Sequence, residues 1–166
     1  MSGARAGPSP ARAPVKNKML LVKTKLDVSR IHGIGLFADQ FISKDTVVWK
    51  FNRLIDLVFT AEQLDELAPD ALAQIKKYSY RDVHSGLYVL CGDDARFFNH
   101  STDPNCLDTY ESHEKEGITF ACRDIIAGEE LTCDYALFDL DFDARLYASP
   151  PHGGSRPRYS RSDARR

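Results

Sequence analysis

Hydrophobic and polar positions change period several times along the 166 residues. Short runs rich in β-branched and aromatic residues predict strands at Met19–Lys23, Thr46–Phe51, Ile55–Phe59, Leu87–Leu90, Ile118–Cys122 and Leu131–Tyr135. A helical period replaces the alternation after Phe59. Thr60 with Gln63 three residues on forms a capping box, and Leu64 and Leu67 share a face before Pro69 interrupts. Ala71–Ile75 continues as a second short helix. Tyr78–Arg81 leads out as a strand with both tyrosines on one face, and Ser85-Gly86 and Gly128 mark turns. The pattern is about eight short strands and two short helices, a mainly β chain.

Two stretches fit neither period. Ser29–Ala38 carries Gly33 and Gly35 at one-residue spacing, which marks a tight loop where backbone approaches something closely. No long helix follows, so the dinucleotide fingerprint does not apply. Arg96-Phe97-Phe98-Asn99-His100-Ser101, closing on Pro104-Asn105-Cys106, sets two bulky aromatics beside a polar cluster. Asn, His and Ser bond readily to backbone and favour turns. The segment reads as a structured, partly buried loop at 96–106. Its polar groups are satisfied either by the core or by a ligand. Leu137–Tyr147 alternates Asp with Phe and Leu and is placed to cover a site.

Composition narrows this picture. Apolar residues make up 43% and charged residues 28%, ordinary for a globular domain with a core. No apolar run reaches the roughly 18 residues of a membrane span. The first residues show no secretory signal. Cys91, Cys106, Cys122 and Cys133 show no C-x-x-C spacing, so free and mostly buried thiols in a reducing compartment are expected. Charge is uneven. Residues 1–18 and 151–166 each carry a net +4, which leaves −10 for residues 19–150 out of an overall −2. Both tails, 1–18 and 148–166, read as disordered and basic, around a domain at 19–147. An acidic core suits a basic peptide partner and argues against a specific nucleic acid, and the lack of a spanning run argues against a membrane.

Three pieces stand in order: Gly33-Ile34-Gly35-Leu36-Phe37, the Arg96–Ser101 loop with Pro104-Asn105-Cys106, and Gly128-Glu129-Glu130-Leu131-Thr132-Cys133-Asp134-Tyr135. Together they resemble the SET domain family, the protein-lysine methyltransferases, over about residues 19–140. The resemblance implies a β-clip fold of small curled sheets with a knot-like C-terminal threading. That threading sets Asn99-His100 beside the C-terminal strand and brings Asn99, His100 and Tyr135 together. It implies S-adenosyl-L-methionine as cofactor and methyl transfer to a lysine amine of a basic protein, histone or histone-like.

The site residues follow from the same resemblance. Tyr135 is the catalytic tyrosine at the mouth of a lysine channel. It orients the reacting groups and is not a base, because a phenol with an ordinary pKa of about 10 is a poor base near neutrality. Tyr80, with Tyr78 as a further candidate, and Cys133 line that channel; for the tyrosines, plain β-sheet packing is the alternative. The backbone of His32, Gly33, Ile34 and Gly35 approaches the methionine end of the cofactor. Asn99 and His100 hold the adenine side, with Arg96 and Phe97 as supports. Phe138 or Phe142 covers the adenine, with ordinary packing as the alternative.

Three departures refine this. Many members carry a cysteine after Asn-His-Ser that joins a zinc-bound tail; here that residue is Thr102, and no cysteine follows Cys133. No structural zinc is expected. Two residues before the catalytic tyrosine the family usually has Phe or Tyr, and here Cys133 leaves more room, which implies di- or trimethylation. The short form is similar to stand-alone SET proteins of bacteria and viruses. It implies a cytoplasmic protein, or a nuclear one if delivered to or encoded by a eukaryotic host, and leaves a homodimer open. A non-catalytic SET-like peptide-binding module is the competing reading, and a β-clip relative without cofactor a third. Cofactor binding and tyrosine-dependent transfer separate them.

Overall fold

The computed structural model describes residues 20–110 and 117–143. The tails expected to be disordered lie outside these residues. In chain order the elements are β1 (Thr24–Val28), β2 (Ile34–Ala38), β3 (Val47–Lys50), β4 (Leu57–Phe59), α1 (Ala61–Asp65), α2 (Pro69–Tyr78), β5 (Ser79–Arg81) and β6 (Tyr88–Leu90). A 3-10 turn at Asp94–Phe97 follows, then β7 (Asn99–His100), β8 (Cys106–Tyr110), β9 (Gly117–Ala121), β10 (Thr132–Cys133) and a second 3-10 turn at Tyr135–Leu137. The mainly β expectation with two short helices holds. The chain forms two compact units, Met1–Leu57 with Cys91–Asp134 and Val58–Leu90 with Tyr135–Arg166.

In the first unit β1 and β2 form an antiparallel hairpin in register from Thr24↔Ala38 to Val28↔Ile34. Its turn closes with Ser29 N–H donating to Gly33 O at 2.9 Å, and Gly33 takes φ +52°, which glycine adopts without a side-chain penalty. A second antiparallel sheet has the order β3-β9-β8. β7 and β10 pair in parallel, Thr132↔Asn99 and Cys133↔His100. Leu36, Ala38, Ile42, Val48, Cys106, Ala121, Ile125 and Leu131 are buried and form the core of this unit. Leu36 and Ala38 lie on one face of β2 and are buried, with Phe37 on the other face half-buried; Ile34, on the same face as Leu36 at the start of the strand, is exposed.

The second unit holds a three-stranded sheet of order β4-β6-β5 and both α-helices. The capping box of α1 forms as the sequence predicts: Thr60 Oγ1 accepts from Gln63 N and Gln63 Oε1 accepts from Thr60 N. Pro69 starts α2 as its first residue and so does more than interrupt α1. An isolated bridge, Asp82↔Asp139, lays the 139–140 segment beside β5. Leu140 N–H donates to Arg81 O at 2.8 Å, and Val83 N–H to Phe138 O at 3.0 Å.

Several boundaries differ from expectation. The described residues 20–23 of the strand expected at Met19–Lys23 do not form it; the first strand is Thr24–Val28, paired in register with Ile34–Ala38. Leu20 contributes only a single bridge to Trp49. Gly35 lies within a strand and not in a loop. Tyr78 closes a helix, so Tyr78 and Tyr80 do not share a strand face. Cys106–Tyr110 is a strand that local pattern did not signal; it forms because β9 pairs with it along its length. The polar Asn99-His100 is itself a two-residue strand.

Asn105 closes the 101–105 turn onto β10. Its Nδ2 donates to Glu130 O at 2.7 Å and Glu129 Oε1 at 3.2 Å, and its Oδ1 accepts from Thr132 N at 2.9 Å. Its own N–H donates to Thr132 Oγ1 at 3.3 Å. The side chain is buried, so truncation strands both Thr132 N–H and Glu130 C=O. Asn105→Ala is expected to lower unfolding free energy by about 2–3 kcal/mol in urea titration, and a loss below about 0.5 kcal/mol would show that water replaces these bonds.

Candidate functional site

The first unit gathers the glycine hairpin, Asn99 and Glu130 at one point. The segment before β10 runs beside β2: Ala38 N–H donates to Glu129 O at 2.9 Å, Leu131 N–H to Leu36 O at 2.7 Å, and Phe37 bridges Glu130. This sets the Glu130 side chain over Gly35. A Cβ at Gly35 would fall on the Glu130 carboxylate, 2.8 Å from its Cδ. Glycine here makes room for Glu130. A Cβ at Gly33 meets nothing within 4 Å, so only Gly33 leaves its surroundings open.

Asn99, almost fully buried, donates from Nδ2 to Glu130 Oε1 at 2.7 Å, His32 O at 3.1 Å and Ile34 O at 3.3 Å. Ser29 Oγ donates to Glu130 Oε2 at 3.0 Å and accepts from Ile31 N at 2.8 Å. Three acceptors thus converge on an amide that carries two hydrogens. Such a cluster of carbonyls and carboxylate suits an ammonium group, the amino-acid end of the cofactor that the family resemblance implies. The residues present therefore fit that group.

His100 is half-buried, with Nδ1 3.7 Å from Asp134 Oδ1. Burial lowers its pKa from the ordinary 6.5, opposed by the Asp134 carboxylate and the Cys133 backbone. Arg96 is exposed and stacks its guanidinium over the half-buried Phe97 ring, 5.2 Å from the centroid. Cys133 is buried on β10.

In the second unit the Phe138 ring lies edge-on to both Tyr80 (5.2 Å, 88°) and Tyr135 (5.7 Å, 68°). All three are half-buried. Edge-to-face pairs favour this arrangement beyond the area they bury. Tyr80 and Tyr135 are thus joined through Phe138, which belongs to their ring cluster. Tyr78 stands apart at the end of α2, with Lys77 Nζ 5.1 Å from its ring centroid. Phe142 is half-buried. Asp139, buried, anchors the segment after Phe138 by accepting from Arg81 N (2.9 Å) and Asp141 N (3.0 Å) through Oδ1.

Sequence reading missed Ser29, Glu130, Asn105 and Asp139. For Glu130 and Asn105 the signal lay inside the motifs already singled out. Their partners, the Asn99 and Ser29 side chains for Glu130 and the 129–132 segment for Asn105, are remote in sequence, so no local pattern reveals them.

The SET domain family model matches residues 33–136. A human relative, histone-lysine N-methyltransferase 2D, is 31% identical over 146 residues, covering 87% of this chain and 2% of that protein. The Schizosaccharomyces pombe H3 lysine-36 specific histone-lysine N-methyltransferase is 36% identical over 109 residues, 62% of this chain and 13% of that protein. Among solved structures, a humanized mutant of the Chaetomium thermophilum Polycomb Repressive Complex 2 aligns with a TM-score of 0.55 at 22% identity, over 74% of this chain and 16% of that one. The chain belongs to the SET domain family. It spans only a small part of the length of these relatives.

The depressed His100 pKa has a consequence for stability. The folded state disfavours the imidazolium, so the unfolded chain binds more protons near pH 6 and stability rises with pH there. The contribution is present above about 6.5 and lost on acidification. The difference in unfolding free energy between wild type and His100→Asn is expected to widen from pH 5 to pH 7.5 in favour of wild type. A difference independent of pH would show that His100 titrates alike in both states.

Proposed function

We propose that this chain is an S-adenosylmethionine-dependent protein-lysine methyltransferase acting on a basic, lysine-containing protein such as a histone. The observation that carries this reading is the Tyr80–Phe138–Tyr135 ring cluster in a chain of this family. The histone-lysine methyltransferase names of the relatives support the reaction class. The net −10 over residues 19–150 supports a basic substrate.

When bound, S-adenosylmethionine supplies a methyl group already activated on a sulfonium. The carbonyls of His32 and Ile34 and the Glu130 carboxylate would take its ammonium, and Asn99 holds these acceptors in place until then. His100, Arg96 and Phe97 would support the adenine side. The aromatic rings give an apolar wall. A lysine amine, with an ordinary pKa of about 10.4, is disfavoured in its charged form against such a wall. The same ring faces accept a methylated ammonium, so product is tolerated as well. The Tyr135 hydroxyl orients the amine for in-line attack, which contributes by alignment.

The test is calorimetric titration with S-adenosylmethionine followed by labelled-methyl transfer to a histone-tail peptide. Tyr135→Phe is expected to cut transfer by roughly 100-fold while cofactor binding stays within a few-fold. Binding with transfer that does not depend on Tyr135 would favour a peptide-binding module. Product multiplicity has its own readout. Mass spectrometry is expected to show di- or trimethyl-lysine for wild type and a shift to monomethyl for Cys133→Phe. Monomethyl product from both would remove the argument from the small residue at 133.

A further inference from the structure

One buried residue joins Tyr135 to the strand that carries Tyr80. β5 lies at the edge of its sheet, paired on one side with β6. The Arg81 N–H of β5 is taken by a carboxylate and not by a further strand: Asp139 Oδ1 accepts it at 2.9 Å, and also accepts the Asp141 N–H at 3.0 Å. The Asp139 N–H in turn donates to Tyr135 O at 2.9 Å, and the Phe138 N–H donates to the same carbonyl at 3.3 Å. Asp139 is buried, so bonds lost there are costly to leave unmade. The Phe138 ring meets both tyrosines edge-on, at 5.2 Å from Tyr80 and 5.7 Å from Tyr135. All of these residues belong to the second compact unit.

We propose that Asp139 is a positioning residue for Tyr135: it clamps the turn that follows the tyrosine onto the edge of β5 and so fixes Phe138 between Tyr80 and Tyr135. The inference rests on the reading of Tyr135 as the catalytic tyrosine. The 3-10 turn at Tyr135–Leu137 is only three residues long, and so short a turn has few bonds of its own to hold it. A carboxylate that accepts backbone N–H groups is a stronger hold than a neutral acceptor. The flanking backbone agrees with this placement. Val83 N–H donates to Phe138 O at 3.0 Å, Leu140 N–H donates to Arg81 O at 2.8 Å, and Asp82 bridges Asp139. These bonds set where the segment runs along β5. Asp139 links that edge to the Tyr135 carbonyl through its own side chain and its own N–H. Without the carboxylate, the Arg81 and Asp141 N–H groups lose their acceptor and the turn is free to shift. A displacement of about 1 Å at a reacting group is enough to spoil in-line alignment.

The test uses the full chain with Asp139→Ala, Asp139→Asn, Phe138→Leu and the double variant that combines Asp139→Ala with Phe138→Leu. The first readout is NMR cross-relaxation between the Phe138 ring and the two tyrosine rings, which needs no activity. Asp139→Ala is expected to weaken it, with amide exchange in β4 and β6 unchanged as a check on folding. Asp139→Asn, whose side-chain carbonyl still accepts, is expected to keep it. The second readout is methyl transfer to a histone-tail peptide at saturating cofactor. Asp139→Ala is expected to lower kcat about tenfold with the peptide KM within about threefold, and Asp139→Asn to recover most of that loss. Both residues act through one turn, so the double variant is expected to lose no more than about twofold beyond the worse single variant. Wild-type ring contacts in Asp139→Ala overturn the clamp. Altered ring contacts with unchanged kcat, or losses that multiply in the double variant, overturn the positioning role. Phe138→Leu with wild-type kcat overturns it as well, and does so even where Asp139→Ala does not fold. Altered ring contacts in Asp139→Ala, in a protein whose wild type transfers no methyl, overturn the reading of Tyr135 itself while the clamp stands.

Discussion

The first unit depends on how a two-residue parallel pairing is held. Asn99-His100 and Thr132-Cys133 exchange few backbone hydrogen bonds, and a parallel ladder is slightly weaker per residue than an antiparallel one. Side chains supply the difference. Asn105 ties the turn after β7 to Thr132 and Glu130, and Asn99 ties β7 to the hairpin. Each is a buried or nearly buried polar group whose bond is costly to leave unmade. The specificity of the pairing therefore lies in amides and a carboxylate more than in apolar burial.

The same groups carry the proposed cofactor chemistry. Glu130 serves as a bridge between Asn99 and Ser29, and its carboxylate occupies the space that Gly35 leaves. At Gly35 the missing Cβ leaves room for a side chain of the same protein. Gly33 takes a positive φ, and a Cβ there would meet nothing within 4 Å. One motif thus contains two glycines with different physical reasons.

In the second unit the constraint is a bridge at a sheet edge. Asp139 accepts from Arg81 N–H and Asp141 N–H, and Val83 donates to Phe138 O, so the segment carrying Phe138 lies along β5. Tyr80 is on β5, and Phe138 meets it edge-on as a result. Tyr135, three residues earlier, meets the other edge contact of the same ring. The ring cluster is set by backbone bonds on either side of it.

Much of this was legible in the chain. Alternating and helical periods place most strands and both helices, since they depend on which face is buried. The capping box of α1 is local and forms as read. The three motifs identify the family because each retains chemistry at a fixed spacing. Only tertiary structure decided the rest. Cys106–Tyr110 becomes a strand because β9 pairs with it. Asn99-His100 becomes a strand through partners 33 residues later, and its polar composition concealed that. Phe138 joins the tyrosines and Glu130 fills the space over Gly35 for the same reason. Each is a contact between residues far apart in sequence, and such contacts depend on register and turn geometry that local composition does not encode.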